Sequence, residues 1–144
     1  MVFIPILILA FIALPAFAAD MPGPVRATLV RVIDGDTVEA DAHIWPGHMV
    51  RVSVRLRGIN APELRARCES EKRAAIRARD SLVTLLQDGS FSVRNIAGDK
   101  FFGRVVADIE TPDGAPVSRL LLATGLVRVY DGEARASWCE EPSG

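Results

Sequence analysis

The chain has 144 residues, with 17 Lys and Arg against 18 Asp and Glu, and its formal net charge of -1 argues against a generic electrostatic binder of polyanions. A local cationic site stays open, because the basic residues are nearly all arginine, whose planar fork suits phosphate oxygens. Residues 20–144 suffice for one domain with a modest core and are too few for two.

Val2 to Leu14 is an almost unbroken run of Ile, Leu, Phe and Ala without charge, and Ala16-Phe17-Ala18 gives a small-x-small pattern before Asp20. This reads as a secretory signal peptide over residues 1–19, followed by a domain over 20–144. No Lys or Arg precedes the run, so the amino terminus of Met1 is the only positive charge ahead of it. The competing reading is an uncleaved membrane anchor; the run is short for a span and carries Pro5 and Pro15. The expectation is an exported protein, periplasmic or secreted, with no stable membrane association after cleavage.

From Val25 to Ile33 apolar residues alternate with polar or small ones, and Asp34-Gly35 then offers a favoured two-residue hairpin turn before a strand resumes at Asp36-Thr37-Val38. Two readings of this stretch compete. It is a tight turn and nothing else, or Asp36, a poor strand former, is placed at the mouth of a sheet where a cation could use it. Ala42 to His48, containing Trp45-Pro46-Gly47, reads as a loop or wide hairpin. His43 and His48 have no nucleophile or carboxylate at a suggestive spacing and are expected to be solvated loop residues.

The next stretch is the densest in chemistry. Val50, Val52, Val54 and Leu56 alternate with Arg51, Ser53, Arg55 and Arg57, a half-buried strand with one apolar and one cationic face that should stop at Gly58. Pro62 restrains Ala61 to extended backbone, so Asn60, the Ala61 carbonyl and Glu63 are presented at the strand's end. A basic link, Arg65 and Arg67, leads to Cys68. A helix is then predicted from about Glu69 to Gln87, with Ala75, Ala78, Leu82 and Leu86 on its packed face, its arginines on a solvated face, and Gly89 ending it.

Phe91 to Ile96 and Phe101 to Ile109 read as two further strands around the turn Ala97 to Lys100, with Gly103-Arg104 early in the second. Pro116 to Ala123 reads as a short helix closed by Gly125, followed by extended LVRVY and a polar tail to Trp138-Cys139. In an exported chain the isolated pair Cys68 and Cys139 is most simply a disulfide tying the tail to the segment after the central strand. Closing a loop of about 70 residues could stabilise the fold by roughly 4 kcal/mol. A metal-ligand pair or a reactive thiol are the alternatives, without a further cysteine or a suitably spaced histidine to support them.

Three strands, a helix, two strands and a short helix give a mainly β, α+β fold: a five-stranded barrel of the oligonucleotide-binding (OB) type, with a packed helix after strand 3 and a short C-terminal helix. The candidate functional groups are Asp36, Asn60, the Ala61 carbonyl, Glu63, Arg55 and Arg104. Hard oxygen donors suit Ca²⁺ or Mg²⁺. Phosphodiester cleavage needs a water, a base and cations for the charge that grows on the phosphoryl oxygens, and two carboxylates with two arginines could supply them.

Together IDGDTV, RLRGINAPE and DKFFGR resemble the staphylococcal nuclease (thermonuclease-like) family, in that family's order over nearly all of residues 20–144. The resemblance implies a Ca²⁺-dependent nuclease on an OB barrel that cuts DNA and RNA by attack of water. It implies that Asp36, Asn60 and the Ala61 carbonyl bind the metal and that Asp34 supports them from behind. Glu63 becomes the general base or water-positioning group, and Arg55 and Arg104 bind the phosphate. The sequence departs from the pattern at Asn60, where the family has an aspartate, so weaker Ca²⁺ binding is expected. In Lys100-Phe101-Phe102-Gly103 a Phe stands where Tyr is common, with one residue more than usual; Phe102 can stack on a base or pack in the barrel, and core packing is expected. The alternative reading is a module of the same shape that binds nucleic acid without efficient cleavage. In either case the expected partner is DNA or RNA, with a monomeric chain and no protein partner.

Overall fold

The alternating stretches of the sequence close into a barrel. The structure, a computed structural model, describes residues 20–139, so the expected signal segment lies outside the described residues. The barrel strands are β1 (Val25–Asp34), β2 (Thr37–Trp45), β3 (His48–Leu56), β5 (Ser90–Gly98) and β6 (Arg104–Glu110), in the order β1-β2-β3-β6-β5, closed by pairing of β5 with β1. All pairings are antiparallel except β3 with β6. A two-stranded ladder outside the barrel joins β4 (Ile59–Asn60) to β7 (Arg128–Val129). The helices are α1 (Glu69–Leu85) and α2 (Val117–Thr124), and together with the barrel they make the α+β, OB-type architecture expected from the element order. Among the described residues no helix is long and apolar enough to cross a membrane.

The inner face of the barrel is built from Ala27, Val38, Ala40, Val54, Leu56, Phe91, Val93, Ala107 and Ile109, all buried. Ala78, Leu82 and Leu86 of the α1 region and Val117 and Leu121 of α2 complete this core, so the periodic face predicted for the long helix is the one that packs. The helix begins at Cys68, whose side chain makes no capping hydrogen bond. Instead Glu71, three residues on and buried, accepts the backbone N–H of Arg67 at 2.9 Å, a variant of the capping box shifted by one residue.

Four sequence expectations need correction. The β1–β2 turn residues are Gly35 and Asp36, with Asp34 paired to Thr37, so the turn sits one residue later than Asp34-Gly35 and Asp36 lies in it rather than at the start of a strand. The reason is packing: a Cβ on Gly35 would stand 2.6 Å from the Ala78 Cβ of α1 and 3.0 Å from the Ala61 Cβ, so the glycine serves close approach of helix and loop. Of the loop or wide hairpin expected over Ala42 to His48, the hairpin is found but it is tight: β2 runs to Trp45 and β3 starts at His48 around Pro46-Gly47, Gly47 having φ 75°. His43 is accordingly a strand residue, its ring 2.9 Å from the Thr28 hydroxyl. The apolar and cationic faces of β3 also do not hold along its length, since Val50 is exposed at one end while Arg55 is buried at the other. Finally, Phe102 does not pack in the core; it lies in the turn before β6 and is fully exposed.

Candidate active site

Asp36, in the β1–β2 turn, and Arg55, near the end of β3, are brought side by side because Thr37 pairs with Arg55 across the β2–β3 ladder. Both are buried, and Arg55 Nη1 lies 3.6 Å from Asp36 Oδ2. The Asp36 carboxylate is held on both oxygens: Oδ1 accepts the Thr37 hydroxyl at 2.9 Å and Oδ2 the Ala61 N–H at 2.8 Å. Its backbone carbonyl accepts the Leu56 N–H at 2.8 Å, which pins the turn to the end of β3.

Arg55 is anchored to the same loop. Its Nη1 donates to the carbonyls of Leu56 and Ile59, and its Nη2 to Ile59, each at 3.2 Å. A guanidinium has five N–H groups; three are thus engaged, and Nε–H with the second Nη2–H, one edge of the fork, have no protein acceptor among the described residues. The Tyr130 ring lies over the guanidinium at 5.8 Å, and the Tyr130 N–H donates to the Gly58 carbonyl at 2.9 Å, so the C-terminal segment roofs this arginine.

Asn60 is buried in β4, and its Oδ1 has no hydrogen-bond partner. A buried amide oxygen without a partner carries a desolvation cost that a bound cation or water would relieve. The oxygen donors carried by this turn and the Ile59–Ala61 segment are hard: the Asp36 carboxylate, Asn60 Oδ1 and the Ala61 carbonyl. Each Asp36 oxygen retains a lone pair beyond the bond it already accepts. These residues fit a hard divalent ion such as Ca²⁺, and they fit it weakly, because the one carboxylate of the set already faces a guanidinium.

Glu63 follows Pro62 at the rim and is paired with Arg135 of the tail, Nη1 to Oε1 at 2.9 Å. It lines a cleft of about 200 Å³ together with Asn60, Ala61, Arg65, Arg67 and Arg135. Asp34 sits behind the turn, where its Oδ1 accepts the Leu64 N–H at 3.3 Å. Burial, joined by the nearby Asp36 and Glu63 carboxylates, raises the Asp34 carboxyl above the ordinary aspartate value, against the opposing pull of the Leu64 N–H and Arg79.

The structure therefore gathers Asp34, Asp36, Arg55, Asn60, Ala61 and Glu63 at one end of the barrel. Arg104 is placed differently. It faces Ser53 on the parallel β3–β6 ladder, two residues before Val106, the partner of Arg55. Its Nε is hydrogen-bonded to Asp99, its guanidinium lies 4.4 Å from the Phe101 ring centroid, and it makes no hydrogen bond to Asp36, Asn60 or Glu63. That bond to Arg104 holds the Asp99 carboxyl below the usual aspartate range.

No family model matches the chain. Over 129 residues, 90% of this chain and 73% of the relative, it is 28% identical to a protein of Escherichia coli named "Uncharacterized endonuclease". A protein of the same name from Escherichia coli O157:H7 is also 28% identical over 129 residues.

Sequence reasoning missed Tyr130, Arg135 and Trp138. The tail that carries them has no hydrophobic period, and the one signal able to place it was Cys139. The disulfide to Cys68 is formed, with the Cα atoms 6.0 Å apart and a sequence separation of 71, so both sulfurs are bonded and neither a thiolate metal ligand nor a reactive thiol remains. The carboxylate beside it, Glu71, thus belongs to the helix start.

Proposed function

We propose that the chain is an exported nuclease of the staphylococcal nuclease type that hydrolyses phosphodiester bonds of DNA or RNA with Ca²⁺ as its metal. The observation that carries the reading is the Asp36, Arg55 and Asn60 cluster, a carboxylate, a guanidinium with one open edge and an orphaned amide oxygen held together by the Ile59–Ala61 loop. The similarity to proteins named endonuclease supports it, and so does a disulfide, which fits an oxidising compartment.

Asp36, Asn60 and the Ala61 carbonyl would hold the ion, which supplies positive charge for the phosphoryl oxygens. The open edge of Arg55 presents two parallel N–H groups to the phosphate, the geometry a guanidinium uses for bidentate recognition of an oxyanion. Glu63, at the rim and reachable by water, takes the proton of the attacking water once its contact with Arg135 is exchanged. Arg104 would add a second guanidinium to the phosphate, since its bond to Asp99 engages only Nε and leaves the Nη groups to donate.

The second reading, a module that binds nucleic acid without efficient cleavage, is favoured by one observation: the metal ligand set carries a single negative charge because Asn60 is neutral. Plasmid DNA and RNA incubated with the mature protein in Ca²⁺ or in chelator decide between them. Cleavage that chelator abolishes is expected; retarded but intact substrate in both conditions would give the binding module instead. In the same assay Asn60→Asp should lower the Ca²⁺ concentration needed for half-maximal activity, and an unchanged titration would remove Asn60 from the ligand set.

A further inference from the structure

Beside Glu63 the cleft continues into a second cationic site that the cleavage scheme does not use. Arg65 and Arg67 line it from the link before α1, and Arg135 with Trp138 from the tail. Arg65 and Arg67 are exposed, and neither guanidinium has a carboxylate partner among the described residues. Arg135 faces Glu63 on one side and lies 5.5 Å from the Tyr130 ring centroid on another. The only other acid on the lining, Glu71, is turned to the Arg67 backbone. Three guanidinium groups against one exposed carboxylate make the wall positive in a chain whose total charge is -1.

The tail is held at this position by a disulfide and by one arginine. The Cys68–Cys139 bond fastens its end to the start of α1. Arg128, two residues before Tyr130, lies 3.7 Å from the Trp138 ring centroid and donates from Nη1 to the Ser137 carbonyl at 3.0 Å.

From this placement we infer that the cleft of Arg65, Arg67 and Arg135 binds the phosphodiester next to the scissile one on the same nucleic-acid strand. The inference rests on the nuclease reading of the neighbouring cluster. The open edge of Arg55 takes the scissile phosphate; the strand then leaves past Glu63 into the cleft, and Arg135 passes from the Glu63 carboxylate to the incoming phosphate. Binding of a polynucleotide thereby frees Glu63, whereas a substrate with a single phosphodiester leaves Arg135 where it is.

The test compares two substrates, a single-stranded decanucleotide and a dinucleotide with one phosphodiester, cleaved by the disulfide-bonded mature protein, by an Arg65→Ala/Arg67→Ala double variant and by Arg135→Ala. The ratio of kcat/KM on the decanucleotide to that on the dinucleotide should fall about tenfold in both variants. In chelator, decanucleotide binding measured across salt concentrations should lose about 0.7 of its log–log slope for each arginine removed. An equal loss on both substrates, or unchanged ratio and slope, overturns the inference. If the parent protein cleaves neither substrate, the nuclease reading has failed and the binding slope alone decides: a reduced slope in the variants sustains the phosphate site, and an unreduced one ends it.

Discussion

Two ion pairs flank the candidate site, and they differ in what holds them. Asp36 and Arg55 are 3.6 Å apart, with side chains only 11% and 10% exposed, and each is tied further by hydrogen bonds from or to the Ile59–Ala61 loop. Glu63 and Arg135 are closer, at 2.9 Å, yet their side chains are 54% and 45% exposed and only one of them belongs to the barrel end. The shorter pair is the weaker one, because water screens it and because half of it comes from a tail. On the proposed reading the difference assigns roles: the barrel end would fix the groups for metal and phosphate, and the tail would supply an exchangeable contact.

The contrast is broken most severely by Arg55→Ala, which leaves a buried Asp36 carboxylate facing no cation. We expect a loss of about 3–5 kcal/mol in urea unfolding, together with loss of any cleavage activity. A change under about 1 kcal/mol would show that the pair is less buried than the geometry has it. Opening the disulfide with Cys68→Ser/Cys139→Ser should cost about 2–4 kcal/mol, with the tail becoming protease-sensitive while the barrel remains folded. At the exposed pair, Arg135→Ala should cost less than about 1 kcal/mol and do so only at low salt.

The smallest effect is a pH dependence. The Asp34 carboxyl is raised in the fold, so its contribution to stability is complete below the unfolded aspartate value and is lost as pH rises through the folded one. Asp34→Asn keeps an acceptor for the Leu64 N–H and removes the charge. Melting temperatures of parent and variant should therefore shift in the variant's favour between pH 4 and pH 7; a constant difference would remove this sign.

What the sequence revealed and what it hid divide along the same line. Period-two strands and the packed face of α1 are local patterns, and they were legible; Asp36, Arg55 and Asn60 were named as candidates from the motifs that carry them, and the β2–β3 ladder is what sets Asp36 beside Arg55. The turn at Gly35 was placed one residue early because Asp-Gly is the stronger local signal, whereas the real demand on that glycine comes from Ala78, more than forty residues away. Phe102 carries the composition of a core residue, but it precedes the strand and no neighbour covers it. The tail's covalent tie was legible in the Cys68–Cys139 pair, whereas the ladder of two-residue strands, Ile59–Asn60 with Arg128–Val129, and the places of Tyr130, Arg135 and Trp138 were not, because no repeating pattern marks them.

The central claim, that this barrel end hydrolyses phosphodiesters with Glu63 as its base, is tested most directly by single-turnover cleavage of a labelled decanucleotide in saturating Ca²⁺ by the parent protein and Glu63→Gln, with binding measured in parallel. The account predicts a fall of about 10²-fold or more in the cleavage rate with decanucleotide affinity held within about threefold. Equal cleavage rates in the two proteins would contradict it.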